Sequence, residues 1–285
     1  MPAATRADLV LVAGLAPALA AAFAAGSVFV PSLLDVWGLR PDHCSIHDHH
    51  THLCALHGAL PPVWIVACGA GAVAMFLTRL VSAMNVLFES RRSLTALERL
   101  GHPSAEDRSR VDVPGSPWIC VAAGVFRQRI VVSASLRNHL SPACWEAAIA
   151  HERAHLARHD PLIGTLLSVA LAGAWPGAAG WLGRRWREAS EQAADARAAR
   201  DTSTLAVAEA LVAVARLRLP GDLRPALAMD ALERRVGVLL EGTSVTAPAR
   251  PWLVLGACIA GLAALAVSGG DSVHHALESM IATLG

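Results

Sequence analysis

The strongest constraint on this chain is an uncharged run, Pro161–Gly183, that separates two groups of residues belonging to one chemistry. Upstream lies His151-Glu152-Arg153-Ala154-His155, and downstream lies Glu188-Ala189-Ser190-Glu191-Gln192-Ala193-Ala194-Asp195. Residues four apart on a helix share a face, so His151 and His155 can hold one Zn²⁺ with Glu152 beside them as a base. Glu191 is the candidate third ligand. Asp195, one turn later, is placed to hydrogen-bond a ligand imidazole. A chance motif match and a solvated helix face are the bland alternatives. A single membrane crossing by residues 161–183 would leave Glu191 on the wrong side of the bilayer. The run is therefore predicted to be a helical hairpin that dips into lipid and returns, turning at Ala174-Trp175-Pro176-Gly177.

Local signals agree with a helix through the motif. Ser141-Pro142 is a good N-cap and first-turn pair, and Asp160-Pro161 should break or redirect the chain.

Composition extends the membrane argument. The chain is 54% hydrophobic and 16% charged, with mean hydropathy +0.44, too apolar for an ordinary soluble enzyme. Leu9–Leu34, Pro62–Thr78 and Pro251–Gly270 carry no charge and can each cross a bilayer as a helix, the second extending to about residue 88. Arg6 and Ala22-Phe23-Ala24 give the first run a rival reading as a cleaved leader, but its length favours a retained anchor. Arg79, Arg91, Arg92 and Arg99 follow the second run, so the positive-inside bias places residues 35–61 outside and the chain after Arg79 in the cytoplasm. That outer segment holds His43, Cys44, His47, Asp48, His49, His50, His52, Cys54 and His57, which suits either metal binding or a Cys44–Cys54 disulfide with surface histidines.

The expected organisation is an N-terminal membrane region (1–88), a cytoplasmic domain (89–250) carrying the hairpin 161–183, and a last span with a short outside tail (251–285). Within the cytoplasmic domain, Val86–Leu100 reads as a helix and residues 101–110 as a polar linker. Pro117–Ala123 and Arg129–Ser133 read as strands, the latter as candidate edge for pairing with extended substrate. Thr204–Leu217 and Ala226–Leu240 read as helices either side of Pro220-Gly221. The sequence has no Lys and no Tyr, which excludes a P-loop, a Ser-x-x-Lys nucleophile and an oxyanion-stabilising tyrosine. Arg234, His159 and Arg197 are candidates for that last role. No basic stripe interleaved with aromatics is present, so direct nucleic-acid binding is not expected.

His151–Leu162 (HERAHLARHDPL) followed by Glu191–Arg200 (EQAADARAAR) resembles the membrane zinc peptidases typified by the BlaR/MecR sensor-transducers. Gly124-Val125-Phe126, Ile130-Val131-Val132-Ser133 and Glu233-Arg234-Arg235-Val236 add to the likeness, which covers roughly residues 70–270. The resemblance implies zinc on His151, His155 and Glu191, Glu152 as base, and a cytoplasmic winged-helix repressor of the BlaI/MecI type as substrate. It also implies a bacterial inner-membrane, multi-pass protein with its site on the cytoplasmic side. The fold expected is mainly α: three transmembrane helices and a re-entrant hairpin around a gluzincin-like peptidase domain with a small sheet. The chain departs from the sensor-transducers in lacking a β-lactam-binding domain and one N-terminal span, so the His/Cys segment is the only obvious receiver of a signal. A housekeeping membrane protease and a non-enzymatic metal-binding membrane protein are the competing readings. Oligomeric state is open.

Overall fold

The computed structural model describes residues 2–38, 63–104, 107–114, 118–218 and 226–242, with isolated positions between 253 and 279. The His/Cys segment (His43, Cys44, His47, His49, His50, His52, Cys54, His57), the break at Pro220-Gly221 and most of the last predicted span and tail lie outside the described residues. Over the rest, the molecule is mainly helical with one small sheet.

Two long helices open the chain, α1 (Ala3–Val36) and α2 (Val63–Leu100). The second is continuous where the sequence suggested a span followed by a separate helix. Each contains a stretch long and apolar enough to cross a membrane, Ala3–Ala21 and Val73–Leu100. Along α2, Val73, Leu77, Val81 and Phe88 are all more than half exposed. A soluble protein rarely leaves so continuous an apolar face bare.

The sheet has strand order β1-β2-β4-β3, from β1 (His102–Pro103), β2 (Arg110–Val113), β3 (Cys120–Ala123) and β4 (Arg129–Ser133). The first two strands arise at and just beyond the expected polar linker. Val111 and Val113 alternate inward and pack with Val131 against Leu94 and Leu97 of α2, and this burial makes a strand of a short polar sequence. β2 runs parallel to β4, and β3 pairs with β4 antiparallel. The candidate edge strand Arg129–Ser133 is therefore an interior strand with neighbours on both sides, and β3 is the edge. The β3–β4 turn depends on Gly124 at φ +96°, where a Cβ would sit 2.2 Å from the carbonyl oxygen of Arg127.

A short helix α3 (Ala134–His139) leads into α4 (Pro142–Arg158). Ser141 caps α4 by accepting a hydrogen bond from the Cys144 N–H at 3.2 Å, and Pro142 supplies the preset first turn. The helix ends at His159, the sole described non-glycine residue with positive φ (56°), and α5 (Asp160–Ala170) begins at once. α5 has 11 residues, about 16 Å of rise, whereas a bilayer core is about 30 Å thick. It reaches a one-turn 3₁₀ segment, Leu171–Gly173, and the chain reverses into α6 (Pro176–Asp201). The uncharged run is thus divided between α5 and the start of α6, joined by the 3₁₀ turn. Gly164 lets the Trp186 ring lie against α5; a Cβ there would stand 2.9 Å from the indole.

Two apolar clusters hold these parts together. Ala147, Ile149 and Ala150 of α4 pack with Ala198 of α6, the strands, Val207 and Ala210 of α7 (Thr204–Arg218), and Leu239 of α8 (Ala226–Leu240). Ala7 and Leu11 of α1 pack with Ile163, Leu167, Trp186 and Ala189 of the hairpin. Alanines along α6 keep it close to α4, and this closeness decides where the acidic residues of α6 arrive.

Candidate metal centre and active site

α4 presents His151 and His155 on one face, and α6 returns antiparallel with Glu191 opposite them. The ring Nε2 atoms of His151 and His155 are 3.1 Å apart. Glu191 places Oε2 at 3.5 Å from Nε2 of His151 and Oε1 at 3.7 Å from Nε2 of His155. All three ligand atoms lie within 4.8 Å of one another.

The other nitrogen of each ring faces a carboxylate. Nδ1 of His155 is 2.7 Å from Oδ2 of Asp160, which also accepts from the Ser190 hydroxyl at 2.6 Å. Nδ1 of His151 is 2.9 Å from Oδ1 of Asp195, off the line of the ring N–H, so this is an ion-pair contact rather than a well-aligned hydrogen bond. Carboxylates at both Nδ1 atoms keep the N–H there and leave both Nε2 atoms as lone-pair donors. Two such lone pairs facing each other beside a carboxylate repel unless a cation stands between them.

By themselves the surrounding carboxylates instead favour a second proton on His151, in the place a divalent cation would take. Burial works against charge on His151, yet Asp195, Glu191 and Glu152 outweigh it and hold its pKa up at about 10. Burial would likewise raise Glu191, but His151 and Arg235 keep it down at about 2. The pocket draws positive charge to this point. Two imidazoles and a carboxylate with room for a fourth ligand fit a divalent metal.

The family model described as BlaR1 peptidase M56 matches residues 41–208, more than half the chain. The chain belongs to this family. No curated protein and no solved structure matches it. Membership makes the protein a membrane metallopeptidase, and the matched segment contains His151, Glu152, His155, Asp160, Glu191 and Asp195.

Glu152, on α4 between the two histidines, places Oε2 2.6 Å from the backbone N–H of Ala122, which donates to it from the β3 edge. The M56 site opens into a cavity of about 640 Å³. Its polar floor is His151, Glu152, His155, Asp160 and Glu191; Val121 and Ala122 form one wall, and Val207, Leu211, Val214 and Leu232 the other. A mostly apolar cleft with a few convergent polar groups is the usual shape of a ligand site.

The structure separates the remaining candidates. Asp195 is 1% exposed and takes two hydrogen bonds from Arg235, each 2.8 Å. Arg234 points outward, more than half exposed, with Glu188 at 4.0 Å. Arg197 pairs with Asp201 along α6 at 3.1 Å, half exposed. His159 is exposed at the α4–α5 corner. None of these three lines the cavity, whereas Arg235 does, its guanidinium also reaching Oε2 of Glu191 at 3.0 Å. Burial disfavours charge on Arg235, but Asp195 and Glu191 overcome this and raise its pKa. Sequence reasoning missed Asp160, Ser190 and Arg235. The pair Arg234-Arg235 was visible, but which of two neighbours faces inward depends on how α8 is rotated against α6.

Proposed function

We propose that the protein is a zinc endopeptidase working at the cytoplasmic face of the bacterial inner membrane, cutting a BlaI/MecI-type winged-helix repressor in response to a signal. The hairpin α5–α6 is taken to dip into the bilayer from that face, with α1, α2 and the segment 251–270 as the crossings. The observation that carries the catalytic part is the convergence of His151, His155 and Glu191 beside Glu152 at an edge strand. Zinc held by those three ligands supplies Lewis-acid activation of water and of the scissile carbonyl. Glu152 takes the proton of the attacking water and delivers it to the leaving amine. Asp160 and Asp195 fix the tautomer and aim of the ligand imidazoles, and Arg235 holds Glu191 and Asp195 in place. β3 offers its edge for an extended peptide, and the apolar wall of α7 and α8 receives a side chain.

Glu152→Gln decides the catalytic role. It removes a base and no ligand, so purified full-length variant should keep its zinc and lose cleavage by at least about 100-fold. A variant cutting at the wild-type rate refutes the assignment. The regulatory part is tested by co-expressing a winged-helix repressor with wild type and E152Q. Loss of intact repressor only with wild type supports it; unchanged repressor with accumulating misfolded membrane protein in E152Q cells favours the housekeeping reading.

A further inference from the structure

An anchor helix has no need of buried charge, yet α1 carries one toward the hairpin. Ala3, Ala7, Leu11 and Gly14 form the buried face of α1, and Gly14 sits so close to α5 that a Cβ would stand 2.5 Å from the Leu167 side chain. On this packed side Asp8 is 8% exposed, and its Oδ1 has no hydrogen-bond partner among the described residues. Burying an unpaired carboxylate costs several kcal/mol, roughly, and a nearby cation is what offsets it. The cation is Arg158, whose Nη2 lies 3.9 Å from Oδ1 of Asp8. Nε of Arg158 donates to Oδ1 of Asp160 at 3.3 Å, and Oδ2 of Asp160 is the atom 2.7 Å from His155 Nδ1. Two residues before Asp8, Arg6 donates to Oε1 of Gln192, the neighbour of Glu191. The first turns of α1 thus touch both helices that carry ligands, at Arg158 three residues past His155 and at Gln192 next to Glu191.

We propose that the amino-terminal end of α1 is a positioning part of the metal site, with Asp8 sharing the charge of Arg158 so that Asp160 keeps a firm hold on His155. This rests on the metal-centre reading above. The physical argument concerns competition for one carboxylate. Asp160 accepts from His155, Ser190 and Arg158. A guanidinium with no second anion would place its whole charge on Asp160 and weaken the hydrogen bond to the imidazole, making the ring a poorer ligand. Asp8 divides that charge. Helix α1 lies outside the residues matched by the family model, so this support is supplied by a part of the chain the family match does not cover.

The test uses full-length protein in detergent, loaded with Co²⁺ and challenged with a chelator, following the visible Co²⁺ absorption. Asp8→Asn keeps the shape and removes the charge. It is expected to lose Co²⁺ about three- to ten-fold faster, below the 10–100-fold typical of a direct partner of a ligand. Its absorption bands should shift and its Tm should stay within about 2 °C of wild type, while Asp8→Glu should restore the wild-type rate. Leu9→Asn, on the exposed face of the same helix, should change nothing. An Asp8→Asn rate equal to wild type overturns the proposal while leaving the metal centre intact. A faster rate accompanied by a large fall in Tm, unrescued by Asp8→Glu, shows mere structural support and also overturns it. Wild type failing to bind Co²⁺ or zinc would sink the metal-centre reading itself. Should Asp8→Asn not accumulate, Asp8→Ser carries the same test, since it also takes the second anion away from Arg158, and wild-type retention of Co²⁺ there overturns the proposal.

Discussion

Arg235→Ala removes the hub of the buried charge network. Asp195 is almost fully enclosed and receives two guanidinium bonds of 2.8 Å, while a third contact of 3.0 Å reaches Glu191. Breaking one side of a buried pair typically costs about 3–5 kcal/mol, because the surviving charge is left without a partner. The Arg235 side chain is 22% exposed, so water can replace part of it, and about 2–3 kcal/mol is expected. At roughly 2–4 °C per kcal/mol for a body of this size, Tm should fall by about 4–12 °C. Arg235→Lys keeps the charge but cannot fork across two carboxylates, and should cost about 1 kcal/mol. The assay is thermal unfolding of detergent-purified protein by tryptophan fluorescence, with metal content measured beside it. Because Glu191 and Asp195 lose their common anchor, metal affinity should fall about 10–100-fold in the alanine variant. Alanine and wild type melting together with equal metal content would refute the reasoning.

Asp160→Asn leaves His155 without a charged acceptor at Nδ1; metal affinity measured by chelator competition should drop about 10–100-fold, and an unchanged affinity would show that the imidazole needs no such partner. Gly164→Val drives a side chain into the Trp186 ring, where a Cβ alone would already stand at 2.9 Å. Overpacking of about 1–3 kcal/mol outweighs the few tenths regained from helix propensity, so Tm should fall; an unaltered Tm would mean α5 and α6 do not pack this closely. Asp107 is held at a pKa of about 2 by the Ser109 hydroxyl and by Arg153. Its folded value lies below the unfolded one, so its contribution is complete above about pH 4 and is lost as pH falls toward 2. After allowance for solvent around the exposed Arg153, this amounts to about 1 kcal/mol, and acid unfolding of Asp107→Asn should show a correspondingly smaller drop across that window.

What the sequence revealed was governed by short-range rules. Four-residue spacing on one helix placed His151 and His155, and the same spacing linked Glu191 to Asp195. The Trp175-Pro176 break inside the uncharged run 161–183 was legible too, and α5 and α6 meet on either side of a 3₁₀ turn there. The hidden parts depend on tertiary docking. Asp160-Pro161 reads correctly as a break, but the left-handed His159 turns the Asp160 carboxylate back under His155, and nothing in the local sequence announces that. Strand order was equally opaque: the pairing of β2 with β4 comes from valines hidden behind polar neighbours, and it moves the exposed edge to β3. Arg235 needed the phase of α8 relative to α6, a property of neither helix alone.

The contact between Glu152 and Ala122 has a bearing on selectivity. Under the proposed function, an incoming chain that zips onto β3 through the Ala122 amide would have to evict the carboxylate from it, making recognition of backbone and liberation of the proton acceptor a single event. Small nucleophile-sensitive molecules that reach the cavity without adding a strand would find the acceptor still tethered. An enzyme working as proposed would stay idle toward casual visitors and wake for polypeptide.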